Sequence, residues 1–340
     1  MSAAGLAPAG FFLAGLLVAW GLTFVVRQYA RRRGLLDRPG ARSSHAVPTP
    51  RGGGLAIVLT VLAGALVAMS INTADAHAVA AVVLPTLLVA GVGFVDDHQG
   101  LSARLRLLVH FVCAAACVLA LAPMLGPQPG PAWWLGLALC VPTVAWCTNL
   151  YNFMDGIDGI AASEGLFVGL AAAWLLHGRG MDGIAWLLAV CGGACAGFLA
   201  WNWRPASIFM GDVGSGALGF LFAGSAVATW IGGALTPWVW ILLLGVFAAD
   251  ATTTLVVRWR RGDRLTQPHR SHAYQRLARR LGDHGHAVRW TIAINVFWLL
   301  PLALLAAARP GLGPWLAVPG VGVLVWAALR LGAGRPDEAT

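Results

Sequence analysis

Eleven apolar runs decide most of what this chain can become. They lie at about 5–26, 54–71, 78–95, 106–124, 133–150, 161–177, 183–200, 215–233, 237–257, 291–308 and 314–330. At roughly 17–22 residues each, they match the hydrocarbon thickness of a bilayer. The runs are continuous rather than alternating, so helices are expected, which satisfy their backbone N–H and C=O groups within one segment. The expected fold is an all-α polytopic membrane protein with about 10–11 transmembrane helices. A mean hydropathy of +0.73 with only 11% charged residues excludes an ordinary soluble domain. The runs at 133–150 and 161–177 are the least clean. No internal repeat is visible, and residues 1–340 read as one integral membrane domain.

Charge then orients the bundle. All 23 basic residues are arginine. If successive connectors alternate sides, only Arg179 and Arg309 fall opposite the rest. The positive-inside rule makes the arginine-rich side cytoplasmic, with the N-terminus outside and the C-terminus inside. No cleavable signal is expected, because the first apolar run lacks a basic leader, is too long, and ends at Arg31-Arg32-Arg33. The formal charge of +9 is read as arginine held at a membrane face, not as a nucleic-acid partner. Six cysteines sit within or at the ends of helices, and the i,i+4 pairs Cys113/Cys117 and Cys191/Cys195 are read as small packing groups. Gly193 and Gly197 have the small-xxx-small spacing that lets helices approach closely.

The acidic residues run against this apolar background. One carboxylate near the bilayer centre costs about 2.5–3.5 kcal/mol even on lenient insertion scales. Yet VDDHQG places Asp96 and Asp97 at the end of the third run. NLYNFMDGIDGI puts Asn149, Asn152, Asp155 and Asp158 between the fifth and sixth, and FMGDVGSG puts Asp212 before the eighth. The opposite connectors offer only Asp75 and Asp182. One cytoplasmic site built from several inter-helix loops is expected. Adjacent carboxylates are tolerable beside a cation, and oxygen donors without Cys or His point to Mg²⁺ or Mn²⁺. Asn152, Asp155 and Asp158 are three apart, so a helical turn would stack them on one face, while Gly156 and Gly159 leave room for a phosphate.

Two basic loops accompany these acids. RSSHAVPTPRGGG carries Arg42, His45 and Arg51, then three glycines of the kind that form an anion-binding nest. TQPHRSHAYQR sets His269 and His272 around Arg270; a zinc half-site, a phosphate or nucleotide clamp and an ordinary interfacial pair all fit that spacing. Asp250, about eight residues before Arg258 and so roughly 12 Å into the bilayer, is either a structural hydrogen-bonding residue or part of the site wall. Carboxylates, a hard metal and Arg/His clamps at a membrane surface suggest phosphoryl transfer between a soluble and a lipid partner. The alternative, an ion-coupled transporter, would want its acids near the midplane.

The segments GLLDRPGARSSHAVPTPRGGG, GFVDDHQGLSARLRL, NLYNFMDGIDGIAASEG, FMGDVGSGALGF and HRSHAYQRL resemble, in order, the motifs of the polyprenyl-phosphate N-acetylhexosamine-1-phosphate transferases. These belong to glycosyltransferase family 4 and are relatives of phospho-N-acetylmuramoyl-pentapeptide transferase. The resemblance runs from about residue 34 to 280. It implies transfer of a sugar 1-phosphate from a UDP-N-acetylhexosamine to undecaprenyl phosphate, with release of UMP and with Mg²⁺, in the bacterial inner membrane. It further implies Asp96 as the base toward the lipid phosphate with Asp97 beside it, and Asp212 as a metal ligand with Asn152 near the metal. Asp155 and Asp158 would shape the nucleotide-sugar pocket, and His269, Arg270 and His272 the loop at the diphosphate or uridine. His45 and Arg51 belong to the first basic loop, and a homodimer is compatible with the family. Two departures, the split His-Arg-Ser-His and Arg51 in place of lysine, favour the branch that starts O-antigen or other surface polysaccharides. Its substrate would be UDP-GlcNAc or a deoxy sugar such as UDP-FucNAc or UDP-QuiNAc.

Overall fold

A computed structural model describes residues 3–39, 47–126, 130–267 and 269–336, with side chains from residue 8 onward. The chain folds as helices α1 (Ala3–Arg32), α2 (Gly54–Ile71), α3 (Ala76–Gln99), α4 (Ala103–Leu121), α5 (Pro131–Phe153), α6 (Ile160–Leu176) and α7 (Asp182–Asn202). These are followed by α8 (Asp212–Ile231), α9 (Pro237–Leu243), α10 (Gly245–Arg260), α11 (Ala273–Leu281), α12 (His284–Ile294), α13 (Leu300–Ala308) and α14 (Gly313–Leu331). A single π-helical turn, Asn295–Leu299, joins α12 to α13 into one continuous rod. The only strands among the described residues are β1 (Leu36–Asp37) and β2 (Thr49–Pro50), paired antiparallel.

Nine of the described helical segments are long and apolar enough to cross a membrane, so the protein is a multi-pass membrane protein. Two of the eleven expected spans differ from a plain crossing. The run at 161–177 folds as α6, only 17 residues long and buried along most of its length. The run at 237–257 is broken: Leu244 leaves the helical basin (φ −97°, ψ 11°) and α9 meets α10 at 80°.

Lipid is as apolar as leucine, so helices in a bilayer associate through close van der Waals contact rather than through exclusion from water. Glycine makes that contact here. A Cβ on Gly193 would lie 2.0 Å from the Phe12 carbonyl oxygen, and one on Gly197 2.2 Å from that of Leu16, so α1 lies against α7 backbone to backbone. Helix α8 is the central element, with 89% of its apolar window buried, whereas α1 and α14 bury 22% and face the lipid. All six cysteines are free thiols, and the two i,i+4 pairs are buried packing groups.

The same device sets the polar end of α8. A Cβ on Gly93 would lie 2.4 Å from the Asp212 carbonyl oxygen, and one on Gly54 2.2 Å from the Gly214 Cα. The start of α8 is thereby clamped between the end of α3 and the start of α2. This runs against the anion-nest expectation at Gly53 and Gly54. The N–H groups of Gly53 and Gly54 donate to the carbonyls of Phe209 (2.9 Å) and Met210 (2.8 Å), and Phe209 N–H donates to Pro50 (2.8 Å). Their hydrogens are spent on holding the connector before α8, so Gly53 and Gly54 serve close packing.

Candidate active site

Asp96 and Asp97 end α3 side by side but face different partners. Asp97 is 5% exposed. Its two carboxylate oxygens accept the N–H groups of Asp212 and Val213, each at 3.2 Å, so it caps α8 where the helix dipole favours an anion. Gly211, at φ +76°, makes room: a Cβ there would stand 2.5 Å from the Asp97 carboxylate. Arg51 donates to the Asp97 backbone carbonyl. Asp96 instead accepts from Leu101 N–H and from Arg106 Nη1 (2.7 Å). The same guanidinium nitrogen reaches Asp212 Oδ2, so Arg106 bridges Asp96 and Asp212. Like-charge repulsion is relieved by α8 amides on one carboxylate and an arginine on the other.

Asn152, Asp155 and Asp158 converge by a different geometry from the stacked helical face expected of them. Helix α5 ends at Phe153, and Asp155 and Asp158 sit in the non-helical turn before α6. Two glycines shape this turn. Gly159 adopts φ +81°, in the left-handed region that favours glycine. A Cβ on Gly156 would lie 2.1 Å from the Tyr274 hydroxyl, which itself donates to the Phe153 carbonyl (3.1 Å). Asn152 Nδ2 donates to Ser215 Oγ (3.0 Å), and Asp158 accepts from Ala206 N–H (3.2 Å).

The turn still delivers all three side chains to one cavity of about 340 Å³, which Arg51, Asp97 and Asp212 also line. Burial raises the Asp155 carboxyl well above the usual carboxylate range, and the negative charges of Asp212, Asp97 and Asp158 add to the rise. The cavity is thus a place where excess negative charge awaits a positive or proton-bearing partner.

The basic loops contribute less directly. Arg51 lines the cavity; His45 lies outside the described residues. His269, Arg270 and His272 do not line it. His272 is 2% exposed and donates from Nδ1 to Asp250 Oδ1 (3.2 Å). Asp250 also accepts Thr254 Oγ1–H (3.0 Å) and the N–H groups of Ala273 (2.9 Å) and Tyr274 (2.8 Å). Asp250 is therefore the buried cap of α11. His269 stacks on His272 with ring centroids 4.9 Å apart. Burial first, then His272 and Arg258, lowers the His269 pKa to about 4, so the ring is neutral at physiological pH. Arg270 is solvent-exposed. What α11 brings to the cavity is Gln275.

Sequence reading missed Arg106, although GLSARLRL was in view; its only signal was an arginine ten residues after Asp96. It also missed Asp37, carried in by the β1–β2 pair, and Ser215, three residues after Asp212 and thus on the same face of α8. Among the described residues no three His, Cys, Asp or Glu side chains are placed to cage a metal ion. The donors around the cavity are all oxygen. They suit a hard divalent ion held by one or two carboxylates, with water and substrate phosphate completing its shell.

The family model described as Glycosyl transferase family 4 matches residues 79–230, which span Asp96, Asp97, Asn152, Asp155, Asp158 and Asp212. The chain is similar to the decaprenyl-phosphate N-acetylglucosaminephosphotransferase of Mycobacterium tuberculosis (strain ATCC 25618 / H37Rv), at 30% identity over 87% of this chain and 81% of the relative. It is 31% identical to a probable undecaprenyl-phosphate N-acetylglucosaminyl 1-phosphate transferase of Bacillus subtilis (strain 168), over 78% of this chain and 76% of that one. A phospho-N-acetylmuramoyl-pentapeptide-transferase of Pelotomaculum thermopropionicum is 28% identical over 88% of this chain and 95% of its own length.

Proposed function

The chain belongs to glycosyl transferase family 4, and from that premise we propose that it transfers N-acetylglucosamine 1-phosphate from UDP-GlcNAc to undecaprenyl phosphate, starting a lipid-linked glycan. The observation that carries the reading is the gathering of Arg51, Asp97, Asn152, Asp155, Asp158 and Asp212, from four separate connectors, around one cavity at the arginine-rich end of the bundle. The end product would be a surface polysaccharide such as O-antigen. The arginine-rich end would face the cytoplasm of a bacterial inner membrane, where nucleotide sugars are made.

In this reaction an oxygen of the lipid phosphate attacks the sugar-bound phosphorus of the UDP-sugar. The bond between that phosphorus and the bridging oxygen breaks, and UMP leaves with the bridging oxygen. Asp96 would orient the attacking phosphate and take its proton where it carries one. Arg106, already beside Asp96 and Asp212, offers its guanidinium to the phosphates that gather there. Asp155 and Asp158 would hold the nucleotide sugar, and Arg51 its diphosphate. Asp212 and Asn152 would hold Mg²⁺, or Mn²⁺ in its place, which supplies charge neutralisation on the diphosphate. His272 and Asp250 act from behind, fixing α11 and so Gln275 in the wall.

An apolar groove beside the α9–α10 break supports a prenyl acceptor. It has a volume of about 330 Å³ and is lined by Leu139, Val144, Val227, Trp230, Trp240 and Leu244. Along α5 it reaches from Gly136 to Leu150, about 21 Å at the helical rise.

The test is turnover of purified protein in detergent with undecaprenyl phosphate and a panel of UDP-sugars, including UDP-FucNAc and UDP-QuiNAc. UMP release is expected from UDP-GlcNAc, lost on chelation and restored by Mg²⁺. Asp96→Asn and Asp212→Asn are each expected to abolish it; wild-type turnover in both would remove their roles.

A further inference from the structure

We propose that His284 is a positioning residue for the nucleotide sugar, acting through Asp158, onto which its Nδ1–H closes when the nucleotide fills the cavity. The proposal deepens the transferase reading and rests on it.

His284 is the first residue of α12, which continues through the π-helical turn into α13 as one segment long enough to cross a membrane. Its Nδ1 is buried without a hydrogen-bond partner and stands 3.8 Å from Asp158 Oδ2, the two side chains being 15% and 12% exposed. An unpaired buried donor is costly and rare, and it calls for a reason. The facing carboxylate favours the tautomer with the proton on Nδ1. A movement of about 1 Å then converts the contact into a hydrogen bond.

The surroundings aim this contact at the cavity. Asp158 lines it, whereas His284 and Ala206, which donates its N–H to Asp158, do not, so both hold Asp158 from behind. The two supports are also tied to each other. Asp283 caps α12 by accepting Gly285 N–H (2.7 Å) and pairs with Arg204 in the connector that carries Ala206. Asp158 is thus gripped by a frame built from the α7–α8 connector and the start of α12, and the frame has one donor in hand. A ligand that pulls Asp158 into register would complete the unmade bond. His284 lies outside the residues matched by the family model and outside the motifs by which the sequence is read.

The experiment compares full-length wild type, His284→Ala, His284→Asn and His284→Gln in detergent. Steady-state UMP release is measured with the UDP-sugar that supports wild-type turnover, UMP binding by calorimetry, and integrity by thermal melting. An asparagine amide superposes on the histidine Nδ1 and a glutamine amide on Nε2. With a hydrogen bond to a charged group at stake, His284→Ala and His284→Gln are expected to raise the KM for the UDP-sugar and the Kd for UMP about ten-fold, with kcat within about three-fold. His284→Asn is expected to restore both. The proposal is overturned if His284→Ala leaves KM and Kd unchanged, if glutamine rescues as well as asparagine, or if kcat alone falls. A wild type that neither binds UMP nor releases it would instead bring down the transferase reading itself.

Discussion

At the scale of single residues, identical carboxylates have been given different chemistry by what touches them. Asp97 is answered by two helix amides and Asp96 by a guanidinium, while burial first, and then the neighbouring carboxylates, raise the Asp155 pKa well above the ordinary 3.8. A raised native pKa means that the fold prefers the protonated form. Its contribution to stability is complete at low pH and is lost as pH rises through the native value. Asp155→Asn removes that loss, because the amide carries no charge to repel. Thermal melting across pH is expected to show a flatter profile and, at neutral pH, a melting temperature higher by about 2–4 °C. Turnover is expected to fall at least about a hundred-fold, since an amide no longer provides the group the ligand meets. A variant that melts lower at neutral pH would mean that Asp155 is held by a favourable contact rather than crowded by like charge.

Between elements, the polar end of α8 is located by glycines that admit no side chain. Gly54 and Gly214 bring α2 and α8 into backbone contact, and a methyl at Gly54 would have to displace the Gly214 Cα 2.2 Å away. Overpacking of this kind costs about 1–3 kcal/mol and moves backbone. Gly54→Ala is therefore expected to lower the melting temperature and to cut turnover by about ten-fold or more, because Asp212 and the amides that hold Asp97 move with the helix. Gly91→Ala on α3, where a Cβ would meet nothing within 4 Å, is the matched control and is expected to be neutral in both assays. Equal effects in the two variants would show that helix propensity rather than helix contact governs the site. Asp250 works at this scale too: one buried carboxylate starts α11 and fixes His272, which places Gln275 in the cavity wall.

For the whole molecule, the charge pattern predicts a single orientation in the membrane. Ala74, between α2 and α3, and Ser102, between α3 and α4, lie at opposite ends of α3 and are both exposed. Intact cells treated with a membrane-impermeant maleimide are expected to label Ala74→Cys, and Ser102→Cys only after permeabilisation. Of the six native thiols, Cys113, Cys117, Cys191 and Cys195 are buried and Cys140 and Cys147 half-buried, so labelling of the unsubstituted protein is subtracted as background. The reverse pattern would place the cavity outside the cell, away from nucleotide sugars. By themselves, the apolar run lengths dictated a helical membrane bundle, because a backbone in hydrocarbon must satisfy its own hydrogen bonds within about 20 residues. They also steered most carboxylates out of the apolar runs and into the connectors, because a carboxylate near the bilayer centre costs about 2.5–3.5 kcal/mol; Asp250 and Glu164, buried within α10 and α6, are the exceptions. Only the tertiary structure decided which carboxylate an arginine holds, that Gly53 and Gly54 pack instead of cradling an anion, that the HRSH loop stands behind the cavity wall, and that the run at 237–257 breaks at Leu244. Those outcomes depend on pairs such as Arg106 with Asp212 and Gly54 with Gly214, more than a hundred residues apart. No local periodicity encodes such a meeting; it exists only once the helices have packed.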